Sequence, residues 1–245
     1  MKEQLEKEWY YVYRNILDNS WLTYIRVYID KALKDAEHYK AAKGTAIHAI
    51  VNVPKFSHLL SELRAKGLLD DIEKNYFGSK YIINSFSALN NLKGNDNFSG
   101  QIHRDIRFFS ENCNLMLNML VFADDFTIEN GATCVFPKSH LEKEFVHGVW
   151  GKSGIQLEGK AGDVAIWNSN LYHCAMPNIT DDNRRAIPIV FCKSNYKQLL
   201  DYPKALKNKK DEFSEDVKQL LGFDAIVPES LDQWYNNRTY KKEQD

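Results

Sequence analysis

The chain has 245 residues, a formal net charge of −1 at pH 7 and 44% hydrophobic residues. This length suffices for one sizeable hydrophobic core, and the near-neutral charge excludes bulk electrostatic attraction to nucleic acid or to an anionic membrane. No apolar run approaches the roughly 18 residues of a spanning helix. The charged N-terminus also lacks the apolar segment of a secretion signal. We therefore expect a cytoplasmic protein whose four dispersed cysteines stay reduced.

The first part of the chain, about 1–78, is expected to be mainly helical. Residues 8–17 carry an aromatic stripe that we interpret as the packing face of a first helix. Asp18, Asn19 and Ser20 interrupt this stripe and offer an N-cap for a second helix that reaches about Tyr39. A strand is expected over 45–53, on its β-branched content.

The pattern then changes from helices to strands. Pro54 precedes a helix over 55–66 that Gly67 ends, and a short helical segment follows. Turn signals separate many short strands between about 79 and 195, which indicates an antiparallel sandwich or barrel. A polar, Lys-rich extension over about 196–245 is expected to be helical, and we expect the whole chain to form one domain. The strands are expected near 81–86, 102–109, 115–122, 132–136, 155–158, 163–167, 171–175 and 185–194.

A His-x-Asp pair is the first candidate for chemistry. His103 and Asp105 are two residues apart, so on an extended strand both point to the same face. With one further imidazole they form a two-histidine, one-carboxylate set, which suits non-heme Fe(II). The pair alone is a weak signal, because such a spacing also occurs on solvated strands.

His173 and Arg184 are the other two candidates, and each has an ordinary structural interpretation by itself. A lone histidine among apolar neighbours is usually part of the core, and an arginine at a strand start usually lies on the surface. Arg184 carries a planar, permanently charged fork that can grip a carboxylate with two hydrogen bonds. Because Arg185 points to the opposite face of a regular strand, only one of the two arginines can line a cavity.

Taken together, these residues resemble the phytanoyl-CoA dioxygenase family of Fe(II)/2-oxoglutarate-dependent oxygenases over about residues 80–194. The resemblance implies a mainly β, double-stranded β-helix core (a cupin-like jelly roll) with helices at both ends and the site between its two sheets. It implies that the catalytic residues His103, Asp105 and His173 bind iron and that Arg184 holds the far carboxylate of 2-oxoglutarate. The quoted motifs are His103-x-Asp105, Glu129-Asn130-Gly131-Ala132, Phe136-Pro137-Lys138-Ser139-His140, Gly162-Asp163, His173, Asn178 and Arg184.

The chain departs from the family pattern at two positions. Lys138 stands where the family often has glycine, so the turn that ends in His140 is expected either to have a different shape or to be a tolerated variant of the family turn. Ala175 stands where the family often has a serine near the cosubstrate, so one hydrogen bond to 2-oxoglutarate is expected to be missing. We expect Thr180, Tyr81 or Asn118 to compensate, and the sequence does not choose among them.

The implied reaction consumes 2-oxoglutarate and O₂, releases succinate and CO₂, and oxidises a substrate C–H. Asp105 favours hydroxylation, since related halogenases lack this carboxylate; desaturation and ring closure stay open. Two alternatives also stay open: a non-catalytic sensor or degenerate homologue, and a cupin-like barrel that uses another metal for isomerase or hydrolase chemistry.

The sequence gives weaker signals for the cosubstrate and substrate residues and for the binding partners. Phe109 and Asn118 are expected near the cosubstrate, and Gln101, Trp167 and Arg107 near the substrate. The substrate is expected to be a small metabolite, with no nucleic-acid or membrane partner, and the chain is expected to be a monomer or a homodimer. Arg104 should face away from His103. His147 is expected in a loop and His140 to organise its own turn, neither as a metal ligand.

Overall fold

Helices lie at both ends of the chain and strands in the middle, as the sequence predicts. The computed structural model describes residues 2–94, 100–110, 113–145 and 153–237. The helices are α1 (Lys2–Glu8), α2 (Asn19–Glu37), α3 (Ser57–Ala65), α4 (Leu68–Ile72), α5 (Tyr202–Ala205), α6 (Glu215–Leu220) and α7 (Leu231–Asn237). The strands are β1 (Tyr10–Tyr13), β2 (Thr45–Ile47), β3 (Tyr81–Asn90), β4 (Met116–Phe122), β5 (Thr133–Val135), β6 (Ile155–Gln156), β7 (Val164–Asn168), β8 (His173–Ala175) and β9 (Arg185–Lys193).

The strands form two antiparallel sheets. The larger has the order β1-β7-β4-β9-β3-β2, and the smaller has the order β6-β5-β8. Both contribute side chains to one cavity. This arrangement, with helices added at both ends, is the jelly-roll class that the sequence predicts.

The two faces of the large sheet contact different parts of the protein. On β4, Leu117, Met119 and Val121 belong to the main core cluster together with the residues of α2, α3 and α4. The alternate residues of the same strand point the other way, and Asn118 and Leu120 line the cavity. The helices therefore cover one face of the sheet, which leaves the other face for the site.

Three predicted elements differ from those observed. Residues 10–13 form an edge strand, not a helix, because the backbone pairs with β7 (Tyr10 opposite Trp167) and the aromatic side chains pack there. The strand predicted over 45–53 ends at Ile47, because His48 takes a left-handed conformation (φ 61°) and a 3₁₀ turn follows. The strand predicted over 102–109 is reduced to a single bridge between His103 and His173, after which the chain bends.

Other predicted boundaries are confirmed. The Asp18 carboxylate accepts hydrogen bonds from the backbone N–H groups of Ser20 and Trp21, which caps α2. Gly67 separates α3 from α4 with φ 76°, a conformation that favours glycine.

The four cysteines form no disulfide. None of the helices within the described ranges is both long and apolar enough to cross a bilayer.

Candidate metal centre

Three side chains converge at one end of the cavity. Nε2 of His103 lies 3.6 Å from one oxygen of Asp105, and Nε2 of His173 lies 3.6 Å from the other. One ligand atom from each residue lies within 4.8 Å of the other two. Separations of 3.6 Å exceed hydrogen-bond length, but two atoms that each lie about 2.1 Å from one ion can be up to ~4.2 Å apart. The cluster therefore has the dimensions of a site for a single metal ion.

The backbone places the two imidazoles side by side. His103 and His173 exchange both backbone hydrogen bonds of an antiparallel pair, at 3.0 and 2.9 Å. Their ring centroids are 4.4 Å apart. The bend after Arg104 then brings Asp105 to the same point without a regular strand. The i, i+2 reasoning thus predicts the right residues, although the local structure is a bridge and a bend.

Hydrogen bonds to carbonyl groups orient both imidazoles. Nδ1 of His103 lies 2.6 Å from the carbonyl oxygen of Gln101, and Nδ1 of His173 lies 3.1 Å from that of Leu171. A carbonyl oxygen only accepts, so each Nδ1 carries a hydrogen and each Nε2 is the ring atom that lies towards Asp105. Burial lowers the pKa of His173, which keeps this imidazole in the neutral form that binds metals.

A polar chain across β4 orients the carboxylate. Nδ2 of Asn118 donates to Asp105, and Oδ1 of Asn118 accepts a hydrogen bond of 2.5 Å from the hydroxyl of Ser169. Asn118 was predicted near the cosubstrate; its side chain lines the cavity, and its amide contacts the candidate metal ligand. Such outer contacts fix the direction of a ligand carboxylate.

Arg184 and the cluster line the same cavity. This cavity has a volume of about 470 Å³. Its side chain is fully buried, and Nε and both Nη atoms have no hydrogen-bond partner within the described residues. The guanidinium lies 4.7 Å from the ring centroid of Phe126, and burial lowers its pKa to about 9. Arg185 instead points away and pairs with Asp124 and Asp30. A buried, unpaired cation is costly, so this fork is suited to an anionic ligand.

A match to a family model accompanies this geometry. The model of the phytanoyl-CoA dioxygenase family matches residues 12–186. The chain belongs to this family. The match confirms the family predicted from the sequence motifs, and it extends into the N-terminal part that the resemblance did not cover.

Curated relatives of this dioxygenase-family chain include proteins of bacteria and fungi. An uncharacterized protein of Mycobacterium bovis, Mb1539, is 32% identical over 155 residues, which cover 61% of this chain and 56% of the relative. The dioxygenase peniF of Penicillium patulum is 30% identical over 115 residues, which cover 46% of this chain and 37% of the relative. The chain thus spans just over half the length of the mycobacterial relative that it matches.

Solved structures share the fold of this family member. The non-heme, alpha-ketoglutarate-dependent carbocyclase SnoK has a TM-score of 0.64 and 18% identity, over 83% of this chain and 88% of SnoK. The epimerase SnoN, solved in complex with Fe³⁺, alpha-ketoglutarate and nogalamycin RO, has a TM-score of 0.59 and 16% identity, over 80% and 84% of the two chains. At these identities the likeness is one of fold.

The family glycines are explained by close backbone approaches. A Cβ on Gly131 would lie 2.1 Å from the carbonyl oxygen of Met176, and one on Gly162 would lie 2.2 Å from that of Leu17. Both glycines are left-handed, with φ of 78° and 95°. Lys138, which replaces a family glycine, is also left-handed at φ 70°. The backbone at Lys138 is therefore in the conformation that favours glycine, which agrees with a tolerated variant of the family turn.

The remaining predicted site residues separate into two groups. Trp167 lines the cavity, edge-on to His173 at 5.0 Å, and Arg107 lies at its exposed rim. Gln101 and Phe109 are not among the residues that line the cavity. Gln101 contributes its carbonyl group to His103, and the ring of Phe109 lies 5.6 Å below the guanidinium of Arg104.

Arg104 and two histidines complete the comparison with the sequence. The Arg104 guanidinium lies over the ring of Tyr172 at 4.0 Å and donates to the carbonyl oxygen of Glu142. Arg104 is also among the residues that line the cavity. His140 is buried and stacks on Trp9 at 3.5 Å, apart from the metal cluster. His147 lies outside the described residues.

Thr133 is one of the cavity residues that sequence reasoning missed. It lies on β5 directly opposite Ala175, and both side chains line the cavity. Two of the three residues expected to compensate for Ala175 are engaged elsewhere: Thr180 donates to Asn178, and Tyr81 donates to the carbonyl oxygen of Leu69. No sequence signal marks a threonine in a three-residue strand; the pairing with Ala175 reveals it.

Proposed function

We propose that the protein is an Fe(II)- and 2-oxoglutarate-dependent dioxygenase that hydroxylates an unactivated C–H of a small metabolite, with release of succinate and CO₂. One observation carries the proposal. A two-histidine, one-carboxylate cluster and a buried arginine with an unpaired fork line the same cavity. Membership of the family supports the same reaction class.

The residues present fit the iron. His103, Asp105 and His173 supply the two imidazoles and one carboxylate that non-heme Fe(II) oxygenases use, and they leave other coordination positions open. When bound, Fe(II) together with 2-oxoglutarate would supply the oxidative decarboxylation that activates O₂. The protein itself holds the two Nε2 atoms and the carboxylate in place through the carbonyl contacts and the Asn118 amide.

The residues also fit the cosubstrate. Arg184 would grip the far carboxylate of 2-oxoglutarate with two parallel hydrogen bonds, which would satisfy donors that are otherwise buried and unpaired. The Thr133 hydroxyl is available on the strand opposite Ala175 and would replace the hydrogen bond of the family serine. Trp167 and Leu120 close the cavity with apolar surface, and the low dielectric there strengthens the ion pair.

The substrate would occupy the other side of the cluster. Ser85 and Ser87 of β3, Pro188 and Val190 of β9 and the exposed Arg107 also line the cavity, and we assign them to the substrate. These residues would hold one C–H close to His103 and Asp105, and such positioning supplies much of the rate advantage of an oxygenase.

The first experiment is optical. Anaerobic addition of Fe(II) and 2-oxoglutarate to the apo-protein should produce a visible metal-to-ligand charge-transfer band. His103→Ala should abolish the band, and Arg184→Lys should weaken it because Lys cannot form the fork. His58→Ala, on the exposed face of α3, and Arg185→Lys are the matched controls, and both should keep the band.

Turnover separates the alternatives. Succinate formation with a candidate substrate supports an enzyme, and its loss in Asp105→Ala assigns the carboxylate. A charge-transfer band without turnover over a broad substrate set would support the sensor alternative. Wild-type protein that gives no band would contradict the proposal and would favour a cupin-like protein with another metal.

A further inference from the structure

A second cavity, of about 550 Å³, lies beside the first. Each cavity has the size of a pocket for a drug-sized ligand, roughly 300–1,000 Å³. The two cavities share two lining side chains, Ile47 of β2 and Leu89 of β3. The two cavities are therefore neighbours. Ile47 and Leu89 lie between the cavity that contains the metal cluster and the cavity at the edge of the sheet.

The large sheet provides a continuous floor for both cavities. On β2, Ile47 lies directly opposite Ser87, and Thr45 lies directly opposite Leu89. Residues that are opposite each other in an antiparallel pair point to the same face. Ser87 and Leu89 line the first cavity, and Thr45 and Leu89 line the second. Ile47 is 65% exposed, so its side chain can turn without a repacking of the core.

Four residues with polar groups line the second cavity. Tyr39 and Asn52 are exposed, and the polar groups of Thr45 and His48 are engaged within the protein. The hydroxyl of Thr45 donates to the carbonyl oxygen of Ala42 at 2.6 Å. Nδ1 of His48 lies 2.8 Å from the hydroxyl of Tyr202, and burial lowers the pKa of His48, so the imidazole is neutral. Among the described residues that line this cavity there is no Asp, Glu, Lys or Arg.

The other ten lining residues are apolar, and five of them are alanines. Alanine side chains leave room that larger residues would fill, and the aliphatic ones offer contact surface. This lining favours a hydrocarbon over a polar or charged ligand. The apolar lining residues are Ala36, Ala41, Ala42, Ile47, Ala49, Val51, Leu89, Leu200, Ala205 and Leu206.

We propose that the substrate carries an elongated alkyl portion that passes over Ile47 and Leu89 into the second cavity while its reacting carbon lies in the first. The proposal rests on the proposed function, because it assigns the substrate class of the same site. It narrows the expected small metabolite to a molecule with an alkyl chain, and it makes the width and length of the second cavity the determinant of chain length.

The test measures chain-length dependence in the complex with Fe(II) and 2-oxoglutarate, without O₂. Calorimetric titration with 1-alkanols from butanol to decanol should show wild-type affinity rising about fourfold per methylene, the factor that ~0.8 kcal/mol corresponds to. Ala42→Trp and Ala205→Trp fill the second cavity from two exposed positions on different elements. Ala65→Trp, exposed at the end of α3 and absent from both linings, is the control.

Decanol should lose at least tenfold in affinity in both filled variants, butanol should bind as in the wild type, and the control should match the wild type throughout. Equal decanol affinity in all four proteins would overturn the proposal. So would an equal loss for every chain length, since it would mean a ligand confined to the second cavity. The charge-transfer band of the same samples reports the proposed function separately: a normal band with no effect of the filled variants would refute the alkyl channel alone.

Discussion

The replacement of Arg184 by methionine should stabilise the empty protein and abolish cosubstrate binding. Both effects follow from the same observation, a fully buried guanidinium with no partner at any of its three nitrogens within the described structure. Methionine has a similar length and carries no charge, so it removes the penalty of the buried cation and keeps most of the packing. It also removes the fork that 2-oxoglutarate would need.

The magnitude follows from the pKa. Burial lowers the pKa of Arg184 from 12.5 to about 9, and each tenfold change corresponds to ~1.4 kcal/mol, so the upper bound of the penalty is about 5 kcal/mol. Replacement of buried charges by apolar residues has given gains of about 1–4 kcal/mol. The contact with the Phe126 ring at 4.7 Å would be lost, which subtracts up to about 1 kcal/mol. We expect a net gain of about 1–3 kcal/mol.

The pH dependence has a definite sign. The folded state disfavours the protonated guanidinium, so between pH about 9 and 12.5 the unfolded chain binds more protons than the folded one. Wild-type stability should therefore rise through this window relative to Arg184→Met. The advantage of the variant should be constant below about pH 9 and should narrow above it.

Urea denaturation of the apo-proteins at pH 7 measures the gain in the free energy of unfolding of Arg184→Met. In thermal unfolding the same gain should raise the melting temperature by about 2–4 °C per kcal/mol. The second measurement is the shift in melting temperature on addition of Fe(II) and 2-oxoglutarate, expected in the wild type and absent in the variant. Arg185→Met is the matched control: it breaks the pairs with Asp124 and Asp30 and should destabilise the protein while the ligand shift remains. If Arg184→Met were less stable than the wild type and kept the ligand shift, the reasoning would be refuted.

Three further substitutions test other parts of the site. Asn118→Ala should weaken Fe(II) binding about 10–100-fold by releasing Asp105, measured by metal titration; unchanged affinity would deny Asn118 its orienting role. Gly162→Ala should lower the free energy of unfolding by at least ~2 kcal/mol, since the added Cβ would meet the backbone of Leu17. The control Gly78→Ala, with φ 65° and open space around its Cβ, should lower it by only about 1 kcal/mol. Urea denaturation measures both, and equal losses would exclude the clash. Lys138→Gly should stabilise by up to about 1 kcal/mol by relieving the left-handed strain, and Lys138→Ala, which keeps that strain, should not.

Some of the fold follows from local signals. The polar run 18–20 was predicted to cap α2 and Gly67 to end α3, and the structure shows Asp18 as the cap and Gly67 after the helix. Capping and left-handed turns are decided by the residue itself and its immediate neighbours. The strand at residues 10–13 was not predictable in this way. Its aromatic stripe is compatible with a helix, and only the open edge of β7 converts it into a sixth strand of the large sheet.

The residues of the candidate site also fall into two groups, those that the sequence names and those that only the structure reveals. The sequence by itself named the candidate metal ligands and the arginine, because the resemblance to the family motif selects His103, Asp105, His173 and Arg184. These residues lie up to 81 positions apart in the chain, and each alone has an ordinary structural interpretation, so only the whole motif names them.

Only the tertiary structure decided what surrounds that set. Thr133 enters the site because β5 pairs with β8 opposite Ala175, and Asn118 contacts Asp105 because β4 turns its polar residue into the cavity. The second cavity exists because the short edge strand β2 extends the floor of the large sheet past Leu89. Strand register and sheet edges are set by contacts between distant segments, and such contacts leave no pattern within any one stretch of sequence.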